Sequence, residues 1–142
     1  MYKFLEYSVG QYMTHPVKTV TRQTPLRELE MLFAKHDFNA FPVMEGTTMV
    51  GLVTKFDFLK MFAFTTRQMV PQYDELMRRA VAEAMTEAVV HVKPADPLTR
   101  TLQLMINLKA RSFPVVAPDE HLVGMIARED IMRALKDATR AH

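Results

Sequence analysis

The chain carries one ordered set of landmarks twice. Met13-Thr14 returns as Met85-Thr86, Thr24-Pro25-Leu26 as Asp96-Pro97-Leu98, and Phe41-Pro42-Val43 as Phe113-Pro114-Val115, all at a spacing of 72 (13 to 85). Val50-Gly51 then returns as Val123-Gly124 and Asp57 as Asp130, at 73 (57 to 130). One residue has therefore been inserted between the last two landmarks of the second copy. Ordered matches broken by a single slip mean two related units. In a chain of 142 residues each unit is small. Units of about 50–60 residues are marginal alone, so the expectation is one compact body whose core the copies share, with a site enclosed between them.

Both copies read with the same grammar. A short apolar stretch (Val17 to Val20; Val89 to Val92) is long enough for a small strand. Thr24-Pro25 and Asp96-Pro97 each put a capping side chain before a proline at the first helical position. Leu26, Leu29, Leu32 and Phe33, and then Leu98, Leu102, Met105 and Ile106, follow at helical spacing and predict one buried stripe each. A hairpin comes next, with strands Phe41 to Met44 and Met49 to Val53, repeated at Phe113 to Val116 and Leu122 to Ile126. The inserted residue falls in the second copy's turn, where length changes are best tolerated. A last helix runs from about Lys55 to Phe64 and from about Arg128 to Ala138. The unit is strand, helix, strand, strand, helix, a mixed α/β (α+β) class. The predicted organisation is 9–64 for the first unit, 65–80 for a linker and 81–138 for the second. Pro71 interrupts the linker, Asp74 to Arg79 reads helical, and no Gly/Ser run is present, so an ordered surface connector is expected.

Composition excludes several classes. Lys and Arg total 18 against 16 for Asp and Glu, scattered without a basic block, which argues against a nucleic-acid partner. There are no cysteines, hence no disulfide framework and no thiolate metal site. Glu6 interrupts the N-terminus, so no secretory leader is read there. No stretch reaches the roughly eighteen apolar residues of a membrane span, and a cytoplasmic location is expected. The twelve methionines read as fillers of irregular core gaps. His15, His36, His91, His121 and His142 show no metal-binding spacing, and Ser8 and Ser112 sit in no nucleophile elbow, so no catalytic residue and no metal ligand is assigned. Arg78-Arg79 and Arg111 read as a solvated face. Met132, Leu135 and Ala138 on the last helix either pack internally or form a partner surface.

The junction of second strand and last helix carries the chemistry. The copies read Gly51-Leu52-Val53-Thr54-Lys55-Phe56-Asp57 and Gly124-Met125-Ile126-Ala127-Arg128-Glu129-Asp130. A glycine lets a ligand or another backbone approach closely. A helix start suits a phosphate, a hydroxyl adds a contact, and the two acceptor oxygens of an Asp suit a ribose diol. Lys55 and Arg128 bring charge to the same place. Thr54-x-x-Asp57 equally fits a capping box. Ala127 cannot cap, so the reciprocal box is lost in the second copy, yet Asp130 remains. A ligand role and a structural role for the aspartates both stand. Phe41 and Phe113 either wall a slot for a purine ring or pack a core. Pro42 and Pro114, lacking N–H donors, belong on a strand edge, where neighbouring backbone groups are free to read an adenine.

The full order, present twice from about Val9 to Leu135, resembles a tandem pair of cystathionine β-synthase (CBS) domains, the Bateman module. The resemblance implies two βαββα units packed through their sheets with pseudo-two-fold symmetry, leaving two clefts for AMP, ADP, ATP or S-adenosylmethionine. It implies flat homodimers, a regulatory role that modulates an effector protein, no required cofactor and no enzyme activity. The family's hydroxyl and ribose-binding carboxylate fall on Thr54 and Asp57. In the second copy the carboxylate falls on Asp130 and the hydroxyl position is Ala127, so that site is expected to be weaker, differently liganded or empty. Adenine-facing positions fall near Val17, Thr19, Phe41 and Pro42, and near Val89, His91, Phe113 and Pro114. The alternative is an interaction scaffold whose clefts are closed by side chains.

Overall fold

The computed structural model describes residues 2–63 and 72–140. Six helices and four strands occur among them: α1 (Val9–Tyr12), α2 (Leu26–Lys35), β1 (Ala40–Glu45), β2 (Thr48–Thr54), α3 (Lys55–Lys60), α4 (Tyr73–Arg78), α5 (Leu98–Leu108), β3 (Ser112–Val116), β4 (Leu122–Ala127) and α6 (Arg128–Arg140). Short 3₁₀ turns lie at Tyr2–Glu6 and Val81–Glu83. The expected mixed class and the two hairpins are present. Helix α3 is shorter than the Lys55–Phe64 predicted; Phe64 and residues 65–71 of the linker lie outside the described residues.

The compact bodies are cut differently from the sequence repeat. One is continuous, Lys18–Val89, and the other is discontinuous, Met1–Val17 with Val90–His142. Each unit has a core of its own. The continuous unit closes over Leu26, Leu29, Phe41, Val43, Val53 and Met77, the discontinuous unit over Phe4, Val9, Leu98, Phe113, Ile126 and Ala134. Two separate cores follow from this cut, because each unit recruits apolar residues from beyond its own repeat. Val9 is fully buried beneath the second copy's hairpin, and Met77 and Val81 complete the first copy's core. The segment predicted as a surface connector thus buries Leu76 and Met77.

Each sheet is a two-stranded hairpin with a bulge. In β1–β2 the register runs Val43 to Gly51 and then Met44 to Met49; in β3–β4 it runs Val115 to Gly124 and then Val116 to Leu122. Val50 and Val123 are the extra residues, so the repeated Val-Gly landmark marks a β-bulge in each copy. The inserted residue sits in the turn, as expected. Glu45 pairs with Thr48 around Gly46, at φ +63, whereas Val116 and Leu122 are joined through the longer loop that holds Glu120, at φ 71.

The first apolar stretch of each copy gives one parallel bridge instead of a strand. Val20 donates its N–H to the Pro42 carbonyl at 3.0 Å and accepts from Met44 at 2.8 Å; Val92 does the same between Pro114 and Val116, at 3.0 and 2.8 Å. Extending either ladder toward Val17 or Val89 needs an N–H from Pro42 or Pro114, which proline lacks. The prolines that start the next helices also shift by one position. Pro25 and Pro97 are the N-caps themselves, with ψ of 148 and 143. Thr24 and Asp96 instead accept from Thr21 and Lys93 N–H at 3.0 and 2.9 Å, closing the preceding turns. The first helical donors go to other segments: Leu26 N–H to the Arg79 carbonyl at 2.8 Å, Leu98 N–H to that of Tyr7 at 3.0 Å.

On α5 the buried stripe is Leu98, Thr101 and Met105, and Ile106 is 59 % exposed. On α6 it is Ile131, Ala134 and Ala138, which leaves Met132 on the open side. Stripes three and four residues apart share a face, so Ile106 and Met132 fall a turn-fraction away from their cores.

The two glycines explain the other landmark. A Cβ on Gly51 meets the Thr86 carbonyl oxygen at 2.7 Å and Met85 Sδ at 3.2 Å. A Cβ on Gly124 meets Met13 Sδ at 2.6 Å and the Thr14 carbonyl oxygen at 3.0 Å. Thr86 pairs with Leu52 and Thr14 with Met125, each as a third sheet position. The close approach anticipated at these glycines is that of backbone at Gly51 and of a thioether together with a backbone carbonyl at Gly124. Gly51→Ala is expected to cost about 2–3 kcal/mol, in the upper part of the range for overpacking, because a hydrogen-bonded carbonyl must move. Gly124→Ala is expected to cost about 1 kcal/mol, because a flexible thioether yields first. Denaturant unfolding of the two variants checks the order.

Candidate functional site

Each unit carries a buried carboxylate at the turn from bulged strand to helix. Thr54 N–H donates to Asp57 Oδ2 at 2.9 Å, and Asp57 N–H donates to Thr54 Oγ1 at 3.0 Å. This is a complete capping box at the start of α3. Lys60 Nζ lies 3.2 Å from Asp57 Oδ1. Lys55 N–H donates to the Asn39 carbonyl at 3.0 Å. Three donors at this helix start are therefore engaged within the chain. Asp57 itself is 6 % exposed.

The second copy keeps half the box. Ala127 offers no hydroxyl, but its N–H still donates to Asp130 Oδ2 at 2.8 Å. Arg128 N–H donates to the Arg111 carbonyl at 3.1 Å, and Arg133 holds Asp130 Oδ1 at 3.1 Å. Asp130 is 5 % exposed. The loss of the hydroxyl thus leaves the carboxylate's reach-back bond intact, so the persistence of Asp130 has a structural reason. Ionised carboxylates offer about four acceptor positions. The two used here leave acceptor capacity on each aspartate for a vicinal diol.

Arg133 does more than neutralise Asp130. Its second terminal nitrogen donates to the Tyr12 carbonyl at 2.9 Å, and its guanidinium lies 5.4 Å from the centre of the Tyr12 ring. The Tyr12 hydroxyl donates to Asp137 Oδ2 at 2.8 Å. Desolvation first, and then the bond to Asp137, pushes the Tyr12 phenol above its ordinary pKa. The reading of the sequence missed Lys60, Arg133, Tyr12 and Asp137. A signal existed for the first two: Lys60 and Arg133 stand three residues after the aspartates and keep the spacing of 73 (60 to 133).

The remaining predicted positions divide between the bodies. Thr19, Phe41, Pro42, Thr54, Lys55, Asp57 and Val89 belong to the continuous unit, and Val17, His91, Phe113, Pro114, Arg128 and Asp130 to the discontinuous one. Val17 and Val89 thus change places relative to their repeats. Phe41 and Phe113 are 0 % and 3 % exposed inside the cores, and Phe41 packs against Phe33 and Phe38 at centroid distances of 4.9 and 5.9 Å. Core packing replaces the reading of these rings as walls of a purine slot. Pro42 and Pro114 are buried, not at a free edge, and their carbonyls already accept from Val20 and Val92. Thr19, Lys55, His91 and Arg128 are exposed, and Val17 and Val89 are half-buried. Among the described residues no three of His, Asp or Glu gather as metal ligands, and no helix is long and apolar enough to cross a membrane.

Known proteins are similar to this chain. The chain is 27 % identical to the CBS domain-containing protein CBSX1, chloroplastic, of Arabidopsis thaliana, over 95 % of this chain and 66 % of that protein. It is 28 % identical to a homoserine O-acetyltransferase of Methanocorpusculum labreanum, over 89 % of this chain and 26 % of that enzyme. The chain thus spans between about a quarter and about two thirds of these relatives. A crystal structure of CBSX2 in complex with AMP superposes with a TM-score of 0.79 at 25 % identity, covering 94 % of this chain and 99 % of that one. The CBS domain model matches residues 9–63 and again 81–137. With both bulged hairpins, both buried aspartates and both matched segments in register, the chain belongs to the CBS domain family, of which it carries two copies.

Proposed function

We propose that the chain is an adenosine-nucleotide-sensing regulatory module, in which Asp57 and Asp130 take the ribose of AMP, ADP, ATP or a related adenosine compound. The observation that carries this reading is the pair of buried carboxylates, each set at the same turn of a fold that CBSX2 shows in complex with AMP. Thr54 supplies a hydroxyl at the first, where the second has Ala127. Thr19, Lys55, His91 and Arg128 are exposed polar or charged positions able to meet the base or phosphates, and Val17 and Val89 are half-buried apolar positions of the same set. The module acts by having different affinity for the ligand in two states, and it passes the difference to an effector protein or a second copy of itself. Exposed Phe56, Leu59 and Met132 supply apolar surface for such a contact. No enzyme activity and no required cofactor belong to this reading.

Calorimetric titration and thermal melting with AMP, ADP, ATP and S-adenosylmethionine test it. A ligand present at a hundredfold its Kd adds about 2.7 kcal/mol to stability, which raises Tm by several degrees in a chain of this size. The absence of heat and of any melting shift with all four ligands would overturn the reading. One observation favours a second reading, the interaction scaffold: both carboxylates already hold a cation and a backbone donor. The same titration separates the two.

A further inference from the structure

We propose that Arg133 is a latch joining the Asp130 carboxylate to the seating of the N-terminal segment Tyr2–Thr14. Asp130 is 5 % exposed, and its ion-pair partner Arg133 reaches solvent with a side chain that is 53 % exposed. A molecule that takes the carboxylate oxygen now bonded to Arg133 displaces that guanidinium. Arg133 is also a fastening of the N-terminal segment: one terminal nitrogen holds Asp130 and the other holds the Tyr12 carbonyl, with the guanidinium over the Tyr12 ring. Arginine's planar fork makes both bonds at once only in one orientation. Losing the Asp130 bond removes what fixes that orientation, and the bond to Tyr12 weakens with it.

Met13 and Thr14 follow directly, and they are the residues that cover Gly124 and pair with Met125. The state of one carboxylate is thereby transmitted to a sheet position and to the segment before it. The continuous unit is built differently. Lys60, the counterpart of Arg133, contacts Asp57 and the Phe56 ring, both on its own helix, among the described residues. Ala84 stands where the repeat places Tyr12 (12 to 84) and has neither ring nor hydroxyl. Occupation of Asp57 thus moves a local cation, and occupation of Asp130 moves a chain segment. That an adenosine ligand is what displaces Arg133 rests on the function proposed above; the fastening of the segment by Arg133 does not.

Amide hydrogen exchange of the full chain, read on peptides covering residues 2–14, tests the latch. Asp130→Asn keeps an acceptor for Ala127 N–H but turns an amide N–H toward Arg133 in place of a charged oxygen. Arg133→Met keeps the aliphatic stem and removes both bonds. Either variant is expected to speed exchange of residues 2–14 by about threefold or more, while Asp57→Asn leaves it unchanged. AMP added to the wild-type chain is expected to speed the same peptides, and to lose that effect in Asp130→Asn. Unchanged exchange in both ligand-free variants overturns the latch, as does AMP heat that depends on Asp130 without any response in residues 2–14. If AMP gives no heat at all, the nucleotide reading fails, and the latch stands or falls on the ligand-free variants alone.

Discussion

Deleting residues 1–14 is expected to unfold the discontinuous unit while the continuous unit keeps its hydrogen-exchange protection. The deleted stretch contributes Val9, fully buried, and Phe4, 5 % exposed, to the discontinuous core. Removal of buried side chains of this size costs about 2–5 kcal/mol each. It also removes the Thr14–Met125 pair, the Val9 and Gly10 bonds to the Asp96 and Pro94 carbonyls, the Tyr7 carbonyl that accepts from Leu98, and the Tyr12–Asp137 bond. The total exceeds about 5 kcal/mol, a large part of the 5–15 kcal/mol that holds a typical domain together. Every partner named here lies in the discontinuous unit. The partners of β1 and β2 lie within Lys18–Val89. Amides of β3, β4 and α5 should therefore lose protection first and by the larger factor. Equal loss in β1 and β2 would show that the two bodies do not fold separately in this sense.

Chain connectivity predicts the reverse experiment as well. The continuous unit is a loop of about 70 residues inserted into the discontinuous one. If it unfolds, the discontinuous unit must close a flexible loop of that length, at an entropic cost on the order of 4 kcal/mol. Damage to the continuous core is thus felt in both bodies, and damage to the N-terminal segment in one.

This organisation was only partly legible in the sequence. Periodicity and the repeat located both hairpins, the bulge-side glycines, the turn with the extra residue and the helices α2, α5 and α6. Those features are local, fixed by residues a few positions apart. What was not legible was which copy each flanking segment joins. Val9 and Met13 read naturally as the opening of the first copy, yet they pack on the hairpin of the second, and Met77 and Val81 pack on that of the first. Nothing in an apolar side chain names its distant neighbour, so the pattern places Val9 inside without saying inside what. Phe41 shows the same ambiguity at the site: a phenylalanine on a strand suits a ligand slot and a core equally, and only the neighbouring Phe33 and Phe38 decide it. The aspartates are legible as a pair, and so are their counter-ions, because an acid and a base three apart on a helix face one another.

Asp57→Asn is expected to weaken adenosine-ligand binding at the first carboxylate by about a hundredfold with little change in stability, and the comparison with Asp57→Ala separates the two tasks of this side chain. In the protein Asp57 caps its helix through Oδ2 and holds Lys60 through Oδ1. Asparagine retains one oxygen, enough for Thr54 N–H, so the cap survives. The position of Oδ1 becomes an amide that donates, and a diol hydroxyl loses its charged acceptor. Hydrogen bonds to charged groups are worth about 1.5–3 kcal/mol each, so losing one or two of them lowers affinity by about one to four powers of ten. Alanine removes the acceptor altogether. Thr54 N–H is then left without its partner, and the helix loses a cap worth about 1 kcal/mol in addition. Calorimetry and melting of both variants give a two-by-two outcome. Equal loss of binding with unequal loss of stability is the result expected of a carboxylate that both caps and binds. Loss of stability in Asp57→Ala with undiminished affinity in both variants would leave Asp57 as a cap alone, and the ligand would have to be held elsewhere.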